Sequence, residues 1–252
     1  MLFDAAVRSI EYFYRKIYWD APTAETLYQP GFTLTYSGIS WLHSINQLWL
    51  HQPEALTESV LEEAANFFRP FRAEYSIILT EPNPTANLHW LSEHHYIERA
   101  ASPFFMLRGM PHPRHWKREL EVIVVGPDRQ RELLDALYST FFMGPEIGRC
   151  AVRAEHFDDP TIRHYLGYLN GEVAACATVL LGEGIAGLWN VGTLRPFRGQ
   201  GVASALLSQI LAEATVDGYP DSVLVASPMG RPLYEEMGYR FLGNSYFYGP
   251  LE

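Results

Sequence analysis

Six residues near the end of the chain, Arg198-Gly199-Gln200-Gly201-Val202-Ala203, have the types and spacing to hold an anion. Two glycines let the backbone turn tightly and come close to a ligand. The residues that follow carry Val202, Leu206, Leu207, Ile210 and Leu211 at helical spacing, so the loop runs into an amphipathic helix. The first N–H groups of such a helix have no partner within it, and the helix dipole is positive at that end. Arg195 and Arg198 add two whole charges. A pyrophosphate fits this cradle. A plain tight turn that happens to hold two glycines is the competing reading. A dinucleotide-binding turn is a third, and it fits less well. It needs a third glycine and an acid at the end of the next strand. Here Ser204 stands at the glycine position, and the next strand ends Val225-Ala226-Ser227.

The elements that must position this loop are legible around it. Ile185 to Thr193 reads as the strand leading in, and Ser222 to Ala226 as the strand after the helix. Pro232 to Met237 is a short helix ended by Gly238, and Arg240 to Gly249 is extended. Upstream, Glu121 to Val125 is a strand, and Asp128 is expected to cap a helix reaching about Phe142. Arg163 to Leu169 and Glu172 to Leu181 alternate around Asn170-Gly171, a strong hairpin signal because both turn residues accept positive φ. The order is an α/β alternation around one mixed sheet. Before it, Phe3 to Trp19 has a helical period and Thr33 to Leu50 reads as one or two strands. Thr57 begins a helix to Phe68, and Tyr75 to Thr80 is a strand. Asn87 is expected to cap a helix to about Ile97, with a strand from Pro103 to Leu107. The basic, Pro-rich stretch from Pro111 to Arg118 suits a connector. The expected boundary lies near Lys117, dividing the chain into domains 1–116 and 117–252.

From Leu188 to Phe247 the chain resembles the GNAT N-acetyltransferase family. The family's R/Q-x-x-G-x-G/A loop is matched by Arg198, Gly201 and Ala203. Its later Leu-Tyr-x-x-x-Gly-Phe/Tyr element is matched by Leu233, Tyr234, Gly238 and Tyr239. The resemblance, with the strand–helix–hairpin order from Glu121 onward, implies a GNAT fold over the last 135 or so residues. It also implies acetyl-CoA as co-substrate and no metal. By the same resemblance, the backbone N–H groups of Gly199, Gly201, Val202, Ala203 and Ser204 hold the pyrophosphate, in a loop completed by Arg198 and Gln200. Val191, Gly192 and Thr193 end a strand that lines the pantetheine arm and polarises the acetyl carbonyl, a stabilisation that matters most where negative charge develops. That strand splays from its neighbour in the family and opens a slot. An amine then attacks the thioester directly. Tyr234 is the matching general acid, since a phenol keeps its proton at neutral pH and can give it to a thiolate. A helix-packing aromatic is the alternative role for Tyr234. Ser227 stands where the family often has Asn, with a shorter reach for a hydrogen bond. Ile185 to Thr193 carries no carboxylate. Glu146, Glu155, His156 and Glu183 are close in sequence, and no general base is assigned among them.

The first part repeats the pattern of the second. An offset of 143 sets Tyr96 opposite Tyr239, Leu91 opposite Tyr234 and His95 opposite Gly238. The helix from Glu58 has no glycine at its start. Residues 1–116 therefore read as a degenerate GNAT-like half without cofactor loop or general acid, or else as an unrelated α/β cap. In either case this part is expected to wall the acceptor site.

Composition bounds the rest. With 252 residues, net charge −10 and two cysteines, the chain is neither a disulfide scaffold nor a thiolate metal ribbon, and its acidity argues against a nucleic-acid partner. Gln29 to Pro53 lacks Asp, Glu, Lys and Arg, but its glycines, Asn46 and Gln47 break any membrane-spanning run. A cytoplasmic protein is expected. His89 and His94 are five helical steps apart, about 140° around the axis, so they do not share a metal. Cys176, in an apolar strand, reads as a buried structural residue. The expected activity is acetyl-CoA-dependent transfer to a primary amine on a small molecule rather than a protein. The alternatives are a non-catalytic acyl-CoA-binding module and another acyl or aminoacyl transferase on the same tandem scaffold.

Overall fold

The computed structural model describes residues 2–81, 87–112, 119–141 and 145–251. In chain order its elements are α1 (Leu2–Tyr14), β1 (Glu25–Tyr28), β2 (Phe32–Tyr36), β3 (Gln47–Leu50), α2 (Glu58–Phe68), β4 (Ser76–Glu81), α3 (Leu88–Glu93), β5 (Tyr96–Leu107) and β6 (Glu121–Val124). These are followed by α4 (Gln130–Phe141), α5 (Pro145–Ala151), β7 (Ile162–Leu169), β8 (Glu172–Gly182), β9 (Ile185–Thr193), α6 (Val202–Val216), β10 (Asp221–Val225), α7 (Arg231–Glu236) and β11 (Arg240–Pro250). They form two compact units, each made from two pieces of sequence. The first unit is Met1–Phe13 with Phe105–Phe241, and the second is Tyr14–Phe104 with Leu242–Glu252. The boundary expected near Lys117 falls among residues 113–118, outside those described.

In the first unit the strand order is β10-β9-β8-β7-β6, with the end of β5 beside β10. Only β9 and β10 run parallel among the pairs β6–β7, β7–β8, β8–β9 and β9–β10. Asn170 (φ 56°) and Gly171 (φ 81°) make the expected tight turn between β7 and β8. Side chains alternate along β7. Tyr165 and Leu169 pack with Leu206, Leu207 and Ile210 of α6, while Leu166 packs with Leu133, Ala136 and Leu137 of α4. Helix α1 joins this unit through close contacts. The Phe13 ring stacks on Trp189 at 3.6 Å, and Gly182 leaves room for the Tyr12 ring, which would lie 2.9 Å from a Cβ there. Asp128 does not cap α4. It sits inside a 3-10 turn, Pro127–Arg129, and the helix begins at Gln130.

In the second unit the order is β1-β2-β3-β4-β11-β5. Strands β3 and β4 are parallel, and the β1–β2, β2–β3 and β4–β11 pairs are antiparallel. Helix α2 buries Val60, Ala64 and Phe68 against Leu34, Leu48, Ile77 and Leu79. The charge-free stretch is explained by β2, β3 and the turn between them. Asn46 accepts from the Ser37 N–H and hydroxyl and donates to the Ile39 and Glu74 carbonyls, so neutral polar groups satisfy a buried turn. Helix α3 is shorter than expected and Asn87 makes no side-chain cap. His94 Nδ1 donates to the Trp90 carbonyl at 2.7 Å and His95 takes φ 62°, which ends the helix. β5 then starts at Tyr96, seven residues before Pro103, in a stretch whose exposure hid it from a hydrophobicity pattern.

The two units share an order of elements. Each has an antiparallel meander (β1-β2-β3, β7-β8-β9), a helix, a strand parallel to the meander's last strand and a six-residue helix; in sequence a long strand follows each of these short helices, β5 and β11, and most of β11 lies in the second unit. The short helices α3 and α7 are offset by 143 residues, with buried Leu91 where the other has buried Tyr234. Among the described residues no helix is long and apolar enough to cross a membrane.

Candidate active site

The site is built at the end of β9. This strand pairs with β10 from Ile185↔Asp221 to Leu188↔Leu224, and the pairing then stops. β9 continues to Thr193 on β8 alone, through Cys176↔Gly192 and Ala175↔Thr193. Between the Trp189↔Thr178 and Gly192↔Cys176 pairs, β8 has one residue and β9 has two, Asn190 and Val191. That is a β-bulge, which bends and re-aims a strand. Asn190 takes φ 51°, a left-handed conformation that Asn tolerates better than most residues. The parallel ladder therefore ends at Leu188, one residue before β10 itself ends at Val225, and β9 runs on past it. Gly192 is buried, and a Cβ there would lie 2.3 Å from Thr140 Cγ2 and 3.2 Å from the Phe141 ring of α4. Only a glycine lets α4 sit this close.

After Thr193 the chain makes a 3-10 turn, Arg195–Phe197, and enters the glycine loop. Arg198 Nε donates to the Thr193 carbonyl at 2.9 Å, and Gln200 Nε2 donates to the Pro196 carbonyl at 2.8 Å. These two side chains fold the loop onto itself. A Cβ on Gly199 (φ 70°) would meet no atom within 4 Å, and Gly201 (φ 80°) is the N-cap of α6. No side chain caps α6 and its first turn carries no acid. Val202 and Ser204 point into the core and Ala203 is half-buried. A glycine-framed, uncapped helix start beside Arg195 suits a pyrophosphate. The corresponding helix of the second unit is closed. The Thr57 hydroxyl accepts from Val60 N–H, and Glu58 puts a negative charge in the first turn.

Tyr234 lies in α7, 7% exposed, with its ring edge-on to Tyr239 at 5.8 Å and lying against Gly230. Burial pushes its phenol up to about 12, so it is protonated at neutral pH. Among the described residues its hydroxyl has no hydrogen-bond partner. Tyr234 and Val202 belong to one apolar core, and Val191 packs against that core. The Ser227 hydroxyl accepts from Gly230 N–H at 3.1 Å, which fixes the turn into α7 and leaves its own hydrogen to donate.

The residues near in sequence do not supply a base. Glu183 is in the turn at the opposite end of β9 and pairs with Arg8 at 3.2 Å. Glu155 pairs with Arg153 at 3.7 Å, and His156 is buried, its Nδ1 accepting from the Arg153 N–H. The Glu146 side chain lies outside the described residues. His89 pairs with Glu93, and among the described residues no three His, Cys, Asp or Glu side chains gather to hold a metal. Sequence reading missed the roles of Asn190 and Thr140. An Asn inside an otherwise apolar strand was the available signal for the bulge. Nothing local marked Thr140.

Residues 131–239 match the family model of the Acetyltransferase (GNAT) family. No curated protein matches the chain. Among solved structures, a GCN5-related N-acetyltransferase from Kribbella flavida is similar with TM-score 0.74 at 15% identity, over 98% of this chain and 95% of that one. A GCN5-related N-acetyltransferase from Sphaerobacter thermophilus gives 0.65 at 16%, over 97% and 86%. A tandem GNAT protein from the clavulanic acid biosynthesis pathway gives 0.62 at 11%, over 95% and 86%. At these identities the likeness is one of fold. Residues 131–239 thus match the GNAT acetyltransferase family model, and the fold of the chain is that of GNAT proteins, tandem members among them.

Proposed function

We propose that the first unit transfers an acetyl group from acetyl-CoA to a primary amine on a small molecule, in the cytoplasm. The observation that carries this is the run of β9 past the end of its ladder with β10, in the unit that also holds an uncapped helix start and a buried, protonated Tyr234. The backbone N–H groups of Gly199, Gly201, Val202, Ala203 and Ser204 are the pyrophosphate ligands, with Arg198 and Gln200 shaping the loop. Past the end of the ladder with β10, Val191, Gly192 and Thr193 offer backbone to the pantetheine arm and to the thioester carbonyl, where charge develops during attack. The amine nitrogen forms the new N–C bond and the C–S bond breaks. The departing sulfur takes the Tyr234 proton, and the proton that the amine nitrogen sheds passes through water to the phenolic oxygen and restores it; Ser227 is within the same turn as a further hydrogen-bond donor. A phenol held near 12 does not ionise at rest, and because a thiol is the stronger acid its proton reaches the sulfur only as the amine's proton is passed back to the phenolic oxygen. The net charge of −10 suits a cationic acceptor.

A thiol-release assay with acetyl-CoA and a panel of amines, run beside Tyr234→Phe, tests the proposal. Turnover on an amine that drops in the variant while CoA binding persists supports it. CoA binding without turnover on any amine favours the second reading, an acyl-CoA-binding module, which the lack of a carboxylate on β9 supports.

A further inference from the structure

Three side chains on neighbouring strands of the first unit form a polar line, buried at its first two members and half-buried at the third, that ends at the bulge. His164 of β7 is 1% exposed and Thr178 of β8 is fully buried. His164 Nδ1 lies 2.9 Å from Thr178 Oγ1. Asn190 Nδ2 donates to the same oxygen at 3.4 Å, and the Asn190 carbonyl accepts from the Cys176 thiol at 3.6 Å. Asn190 is thus held from β8 at both its side chain and its backbone. The amide can only donate here, so Thr178 accepts from it and keeps its own hydrogen for His164 Nδ1. The Phe157 and His156 rings cover His164 at 5.7 and 5.6 Å.

Packing does not call for this line. A valine at position 178 has the shape of threonine and would suit a buried strand. Burying a hydroxyl and an imidazole costs free energy, and His164 Nε2 has no hydrogen-bond partner among the described residues. The line also stores no proton for catalysis, because burial pulls the His164 imidazole down to about 4 and leaves it neutral. What it touches is the one left-handed residue of β9, just past the end of its ladder with β10.

We propose that His164 and Thr178 are positioning residues that clamp Asn190 in its left-handed conformation and thereby aim the backbone N–H groups of Val191 to Thr193. The catalytic consequence rests on the transferase activity proposed above, whereas the clamp itself does not.

The test uses the full chain carrying Thr178→Val, Thr178→Ser or Asn190→Gly, with two readouts. The first is amide hydrogen exchange at Val191 to Thr193. It is expected to quicken about tenfold or more in Thr178→Val and in Asn190→Gly, which keeps the permitted φ but loses the anchor, and to stay near wild type in Thr178→Ser. The second is steady-state acetyl transfer. Thr178→Val is expected to lower kcat by roughly tenfold with KM for acetyl-CoA within about twofold, and Thr178→Ser to restore kcat. Unchanged exchange in Asn190→Gly and in folded Thr178→Val overturns the clamp. Faster exchange with unchanged kcat overturns its role in positioning. If wild type acetylates no amine, the transferase reading fails by itself, and the exchange data still decide on the clamp.

Discussion

Tyr234 and His164 are both buried and both held in their neutral forms, and the consequences differ. In the transfer proposed above, the neutral form of Tyr234 is the working form. Removing its hydroxyl leaves the ring's packing on Gly230 and Tyr239 intact, so Tyr234→Phe should fold like wild type. Its kcat should fall by about a hundredfold, the ordinary worth of a positioned acid, with acetyl-CoA affinity little changed. Isothermal titration beside a thiol-release assay checks both halves. For His164 the neutral form links stability to pH. Its folded pKa of about 4 lies below the unfolded value of 6.5, so its contribution is fully present above pH 6.5 and is lost as pH falls toward 4. Wild type should therefore lose up to about 3 kcal/mol more than His164→Asn between pH 7 and pH 4, read by urea denaturation. Equal losses would mean that the imidazole is not held neutral. Tyr234 stood out in the sequence as a candidate because its neighbours Leu233, Gly238 and Tyr239 form a local pattern. Asn190 was not, because a bulge is a mismatch of two residues against one on another strand, and no local spacing records it.

The two helix starts, Thr57–Glu58 and Gly201–Val202, differ at the level of elements: the first is capped by a side chain and has an acid in its first turn, and the second has neither. Gly201 sits at φ 80°, and a valine there would be strained and would place methyl groups beside the first N–H groups of α6. Gly201→Val should abolish measurable CoA binding, which equilibrium titration would show; unchanged affinity would remove the loop from the site. Thr57→Ala is the control of opposite kind. It removes a cap from α2 and should cost about 1 kcal/mol of stability while acetyl-CoA affinity holds. Much of this level was readable. The Asn170-Gly171 hairpin, β9 and the start of α6 fall where turn chemistry and periodicity put them. The elements that were not readable, the early end of α3 and the early start of β5, depend on His94 bonding back to Trp90 and on an exposed strand segment with no apolar alternation.

Each unit of the whole molecule is closed by a piece from the far end of the chain. Residues 1–13 belong with 105–241, and residues 242–252 with 14–104. Nothing in a linear hydrophobicity pattern shows such an exchange, because the pieces read as an ordinary first helix and an ordinary last strand. The physical stakes are large on both sides. In the first unit, Ala6, Ile10 and Phe13 of α1 are buried, with Phe13 stacked on Trp189 beside the bulge. In the second, Ser245 to Tyr248 pair along β4, and Tyr246 and Tyr248 sit in the core under α2. A fragment 117–252 would lose the first set and would carry the second as an unpaired apolar strand. Full burial of an aromatic or large aliphatic side chain is worth about 1.5–3 kcal/mol, so losing Ile10 and Phe13 alone removes a large share of a typical domain's stability. An unpaired strand with three consecutive aromatics is also an aggregation template. Fragment 117–252 expressed alone should therefore be insoluble or unfolded by circular dichroism. A fusion of residues 1–13 through a flexible linker to 105–241, which restores α1 and omits the last strand, should be more soluble and should bind CoA. A folded, CoA-binding 117–252 fragment would show instead that α1 is dispensable to the site.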